Sequence, residues 1–169
     1  MPMAKICPRL SSTTATNECE TGAAMALLFF DTSALVKRYY EEPETEIVDE
    51  LIEGDETIVI SSLSVVETVS AFRRKYNRTT ISETRVNRLL SAFFEEALTR
   101  FVIVPMAEPV LQLAFTLVLD GDLRTLDSLQ LSTALGLDTD DESLRFVTAD
   151  TELAAVAEAN GLPVLNPTS

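Results

Sequence analysis

Four acids, Asp31, Glu67, Asp127 and Asp150, occupy positions from which carboxylate chemistry can be run, in a chain that contains no histidine. That absence removes Ser-His-Asp and Cys-His triads, His-ligated zinc and any His general base. What remains is chemistry on carboxylates, hydroxyls or a bound metal. Taken singly, each acid has an ordinary structural explanation. Asp31 and Asp150 fit helix N-caps, and Asp127 in a first helical turn complements the helix dipole. Glu67 is harder to explain, because it stands among Val65, Val66, Val69 and Phe72, where a carboxylate is costly to desolvate. Helix geometry sets it at the edge of that apolar stripe, beside Leu63, Ser70 and Arg74. Brought to one place with no His or Lys beside them, such acids would repel one another and protonate unless a cation sat among them. Ligands made of oxygen alone select a hard ion, Mg2+ or Mn2+.

The elements that must gather these acids are legible in the alternation of short apolar runs with longer amphipathic segments. The pattern predicts strands at 26–30 (ALLFF), 57–61 (TIVIS), 101–104 (FVIV), 145–148 (RFVT) and 163–165 (PVL). Helices are predicted at 32–40, 45–53, 62–77, 82–98, 108–119, 125–135 and 151–160. Gly136 and Gly161 stand where helices should end, and Pro43, Pro105, Pro109 and Pro163 punctuate connections. Alternation of this kind implies an α/β fold, a three-layer α/β/α sandwich around a mostly parallel sheet. Ligands of such sheets bind beyond the carboxyl ends of the strands. Asp31 directly follows ALLFF, Asp150 follows RFVT by two residues, Glu67 lies just after TIVIS, and Asp127 opens the helix TLDSLQLSTAL.

The 169 residues fit one domain. Residues 1–24 are small and polar in their middle, lack apolar periodicity and are expected to be a disordered extension, leaving 25–169 as the folded domain. Cys7 and Cys19 both fall in the extension, so neither a disulfide framework nor a thiolate metal site is expected in the domain. The run AAMALLFF is too short to span a bilayer and the start lacks a secretory pattern, so a cytoplasmic protein with no membrane partner is expected. Met25, just before the first strand, is a candidate natural start. The net charge of -14 opposes nucleic acid unless the acids are segregated or screened by cations. They are unevenly spread: 41–56 and 138–142 are acidic blocks, read as solubilising surface, whereas Arg73, Arg74, Lys75, Arg78, Arg85 and Arg88 share their stretch with one acid, Glu83. Arg73, Arg74, Lys75 and Arg78 are therefore the candidates for contact with nucleic-acid phosphates, against the plainer reading of a solvated helix hairpin or a partner-facing surface. The acidity and the preference for Arg over Lys also fit adaptation to high salt.

The segments FFDTSALVKRYY, ISSLSVVETVSAFRR, LRTLDSLQLSTAL and FVTADTELAAVAEANGLPVLNP together resemble the four acidic motifs of PIN-domain ribonucleases, and most closely the VapC-type toxins of toxin-antitoxin pairs. The resemblance covers about residues 25–167. It implies that Asp31, Glu67, Asp127 and Asp150 are metal-binding catalytic acids holding Mg2+ or Mn2+, with Ser33 and Thr148 as hydroxyls beside them. It further implies an RNA substrate, a cognate antitoxin and a homodimer, for which the apolar faces at 82–98 and 108–119 are available. Gln130 departs from the pattern, standing where many relatives carry His at a position usually outside the metal shell; the expected consequence is for RNA contacts or helix packing. Other classes fit less well. A phosphotransfer receiver should show a late-strand Lys, a haloacid-dehalogenase-type phosphatase needs an Asp where Ser33 stands, and no Gly-rich GK[ST] loop is present. The alternatives kept are a PIN nuclease of RNA maturation or quality control, and a non-catalytic PIN-like interaction module.

Overall fold

The computed structural model describes residues 26–78, 81–121, 123–137 and 143–169. The expectations for the 1–24 extension, its two cysteines, Met25 and the 138–142 acidic block lie outside the described residues. Five strands, β1 (Leu27–Phe30), β2 (Thr57–Ser61), β3 (Val102–Val104), β4 (Leu144–Val147) and β5 (Val164–Leu165), form one sheet in the order β3-β2-β1-β4-β5. Every pairing is parallel. Among the described residues seven α-helices connect them: α1 (Thr32–Leu35), α2 (Thr45–Glu53), α3 (Ser62–Asn77), α4 (Glu83–Thr99), α5 (Glu108–Gly121), α6 (Thr125–Leu135) and α7 (Thr151–Ala159).

Strand parity divides the core into two. Leu28, Phe30, Ile58 and Ile60 point to one face and pack with Val48, Ile52, Phe72, Val86 and Phe93 from α2, α3 and α4. Phe29, Val59, Leu144 and Phe146 point to the other and meet Leu117, Leu131, Leu153 and Ala157 from α5, α6 and α7. Successive strand residues thus bury on opposite sides, which produces the α/β/α sandwich expected of apolar runs covered on both faces. Each fully buried Phe contributes up to about 3 kcal/mol of transfer free energy. The single helix expected over 32–40 is instead four residues of α1 followed by a 3-10 turn, Val36–Arg38. The reason is tertiary. Thr45 Oγ1 donates to the Lys37 and Tyr40 carbonyls at 2.9 and 2.8 Å, competing for acceptors a continued helix would use.

The acidic block at 41–56 is more than a solvated surface. Glu42 receives both Lys37 and Lys75, Glu44 also pairs with Lys37, and Glu56 pairs with Arg145. Asp49, Glu53 and, from α4, Glu96 surround Arg38, while Arg100 pairs with Glu53 and Glu96. Arg38 therefore ties α2 and α4 to the turn that follows α1.

The order of the strands sets the place of the site. From β1 the chain moves outward through β2 and β3, then returns to β1's other side as β4 and continues to β5. The reversal falls between β1 and β4, and crevices in parallel sheets open at the carboxyl ends beside such a reversal.

Candidate metal centre

Asp31, Glu67, Asp127 and Asp150 line one pocket of about 210 Å³ at this edge, together with Thr32, Ser33 and Arg74. Each acid is delivered by a different local device. Asp31 directly follows β1 in an extended conformation, its N–H donating to Val147 O at 2.9 Å, and it caps α1. Its Oδ2 accepts from the Ser33 N–H at 3.0 Å, Ser33 Oγ at 2.5 Å and Thr148 Oγ1 at 3.2 Å. Asp150 caps α7, its Oδ1 accepting from the N–H groups of Glu152 and Leu153 at 2.9 and 3.0 Å. Asp127 stands in the first turn of α6. Glu67 sits in the second turn of α3, whose start is capped by Ser61 Oγ accepting from the Ser64 N–H at 3.0 Å.

Glu67 Oε2 accepts from Thr32 Oγ1 at 2.8 Å and from Gln130 Nε2 at 2.7 Å. Gln130, expected to bear on RNA contacts or helix packing, is 1% exposed and bonded directly to one of the four acids. Thr32, Ser61 and Ser64, which complete its surroundings, were not among the residues singled out from the sequence. The available signal was a run of polar residues (Gln130, Ser132, Thr133) in a helix whose neighbours are apolar, with Gln130 one turn after Asp127.

Among the described residues no hydrogen bond reaches Glu67 Oε1, Asp150 Oδ2 or either oxygen of Asp127, and the close bonds to Asp31 from Ser33 and Thr148 all fall on Oδ2, with the Thr32 N–H a weaker influence on the carboxyl. Each carboxylate thus keeps an oxygen free of close hydrogen bonds. Burial pushes the Asp31 carboxyl up; Glu67 adds to the rise, and the Ser33 hydrogen bonds oppose it. Asp127 is also raised, first by desolvation and then by the charge of Asp150, against a lowering effect of Arg124. Both directions describe negative charge without enough compensation. The donor set suits a hard divalent cation: oxygen only, several carboxylates, no thiolate or imidazole. Among the described residues no three acids form a ready-made metal cluster.

Of the basic candidates, Arg74 lines the pocket. Arg73 lies over the Tyr76 ring at 4.6 Å. Lys75 is committed inward, to Glu42 at 2.9 Å and over the Tyr40 ring at 3.4 Å. Arg78 is exposed at the end of α3. No helix among the described residues is long and apolar enough to cross a membrane.

A family model, that of the PIN domain, matches residues 28–159. A comparison with curated proteins finds no match. Among solved structures, FitAcB from Neisseria gonorrhoeae is similar at 20% identity and TM-score 0.63, over 83% of this chain and 98% of that one. A toxin-antitoxin complex from Klebsiella pneumoniae matches at 20% identity and TM-score 0.57, over 84% and 97%. VapC20 of Mycobacterium tuberculosis, a toxin that cleaves the sarcin-ricin loop, matches at 11% identity and TM-score 0.57, over 76% and 94%. At these identities the likeness is one of fold.

Proposed function

The chain belongs to the PIN-domain family, and from that premise we propose that it is a metal-dependent endoribonuclease and the toxin of a toxin-antitoxin pair. The observation that carries the reading is the set of four carboxylates, each with an oxygen free of close hydrogen bonds, lining one pocket with Arg74 as the one cation among the described lining residues. Asp31, Glu67, Asp127 and Asp150 would hold Mg2+ or Mn2+. Such an ion supplies an activated water and neutralises charge on the phosphodiester.

The chain's own groups do the rest. Ser33 and Thr148 hold one oxygen of Asp31 from behind, leaving the other for ligation. Asp150 performs two tasks with its two oxygens, Oδ1 fixing the start of α7 and Oδ2 left for the pocket. Arg74 at the rim is suited to a substrate phosphate, and Arg73 and Arg78 extend positive charge along the same helix. Lys75, held by Glu42, contributes less to RNA binding than its position in the sequence suggests.

The partner half of the reading is supported by the toxin-antitoxin complex among the structural relatives. On this reading an antitoxin binds this domain, a second copy packs against the apolar faces of α4 and α5, and the protein works in the cytoplasm. The test is cleavage of total RNA with mapped ends, with Mg2+ or Mn2+ and with a chelator, beside Asp31→Asn. Divalent-dependent cuts that vanish in the variant are expected; cutting that persists in chelator or in the variant would overturn the assignment. Co-purification with the product of an adjacent small gene for a DNA-binding protein would separate a toxin from a nuclease of RNA maturation.

A further inference from the structure

We propose that Gln130 is a positioning residue that selects which oxygen of Glu67 is presented to the cation. The inference rests on the metal-dependent reading above and deepens it. A buried primary amide costs several kcal/mol when its polar atoms lack partners, in order-of-magnitude terms about 2 to 7. Here every part of the amide is engaged. Its Oε1 accepts from Ser61 Oγ at 2.8 Å and lies 3.2 Å from Ser64 Oγ, and its Nε2 lies 2.9 Å from Ser64 Oγ, 3.1 Å from Thr32 Oγ1 and 2.7 Å from Glu67 Oε2.

The network admits one orientation of the amide. Ser61 Oγ already accepts the Ser64 N–H as the cap of α3, and its proton goes to Gln130 Oε1. Reversed, the amide would set its carbonyl oxygen 2.7 Å from a carboxylate oxygen, a repulsive contact. The donor end therefore faces Glu67. With Thr32 Oγ1 at 2.8 Å, it makes two bonds to the same oxygen, Oε2. Oε1 is left for ligation. The constraint runs from the cap of α3, through a side chain on α6, back to the acid carried by α3.

An amide is suited to this task. It donates without carrying charge, so it holds the carboxylate without offering a counter-charge in competition with the cation. It also does not titrate near neutrality, so the orientation does not switch with pH. Gln130 lies three residues after Asp127 on α6, so the element that brings one acid also orients another.

The experiment is a Mn2+ titration of the full chain by calorimetry, comparing wild type, Gln130→Met, Glu67→Gln and the double variant. Met keeps length and volume while removing the donor, and the two serine hydroxyls, 3.0 Å apart, can pair with each other. Gln130→Met is expected to weaken Mn2+ binding roughly tenfold or more, the usual cost of losing an outer partner of a ligand. In the Glu67→Gln background the same change should cost nothing further, because the effect passes through Glu67. A structural role alone would lower the melting temperature and leave affinity unchanged, or would lower affinity equally in both backgrounds; either result overturns the proposal. Wild type that binds no Mn2+ overturns the metal reading together with this one. Gln130→Leu, with the same expected direction, replaces Gln130→Met if the latter does not fold.

Discussion

Replacing Asp31 by Asn should invert the stability ranking of variant and wild type according to whether metal is present. Asp31 is 5% exposed, and its carboxyl is raised by burial and by Glu67. Its ionised form therefore costs the metal-free fold stability at neutral pH. Asn retains an oxygen to accept from Ser33 and Thr148 and is itself a good N-cap, so the substitution removes charge while keeping the geometry. Relieving strain of this kind is worth about 1 kcal/mol, within the usual range for functional sites. For a domain of this size that corresponds to a rise of roughly 2–4 °C in melting temperature. With Mn2+ the order reverses. Wild type at a hundredfold excess over Kd gains about 2.7 kcal/mol, or roughly 5–11 °C, and the variant gains little.

The sign of the pH dependence follows from the raised carboxyl. Asp31 contributes stability that is fully present below its unfolded pKa and is lost as pH rises through its folded pKa. In chelator, the gap between variant and wild type should therefore close at acid pH and open toward neutrality. The assay is thermal unfolding of both proteins in EDTA and in Mn2+ across that range. A variant less stable than wild type in EDTA at neutral pH, or equal Mn2+ shifts in both proteins, would refute the reasoning.

Other perturbations test separate parts of the molecule. Arg38→Met should lower stability by about 2 kcal/mol in denaturant titrations, less than the loss of a fully buried partner because Glu53 is half-exposed. Arg74→Ala should weaken RNA binding evenly across sequences and reduce the slope of log affinity against log salt by about 1, measured with the Asp31→Asn protein to prevent cutting. Phe115→Lys and Leu119→Lys alter α5 side chains that are 65% and 83% exposed, and should turn a dimer into a monomer in sedimentation with little loss of monomer stability. An unchanged sedimentation coefficient would move the dimer interface elsewhere.

The central strands were legible in the sequence because ALLFF, TIVIS and RFVT must each bury both faces, and only a parallel sheet covered on two sides satisfies such runs. The four acids were legible because that sheet turns the end of a strand into the edge of a pocket. The 3-10 turn after α1 was not legible: the interruption depends on Thr45, in the next helix, reaching back to carbonyls its own helix does not use. The ion pairs of the 41–56 block were hidden for a related reason. Their partners, such as Lys75, Arg100 and Arg145, are remote in the chain, and charge alone cannot show which surface acid meets which cation. Gln130 reads as a polar residue in an apolar helix until the fold brings Ser61 and Glu67 to its two ends.

The place of β1 in the middle of the sheet has a consequence for synthesis on the ribosome. Its second edge pairs with β4, Leu27 opposite Leu144, and the Thr148 hydroxyl that holds Asp31 lies 117 residues further along the chain. Chains emerge from their N-terminal end and fold as segments become available. A nascent chain that has reached α6 already holds Asp31, Glu67 and Asp127, yet β1 still has an open edge, and both Thr148 and Asp150 are missing. The acidic pocket therefore cannot be completed until the last quarter of the domain has left the ribosome. On the proposed nuclease reading, that order keeps the site incomplete until this last part of the domain has been made.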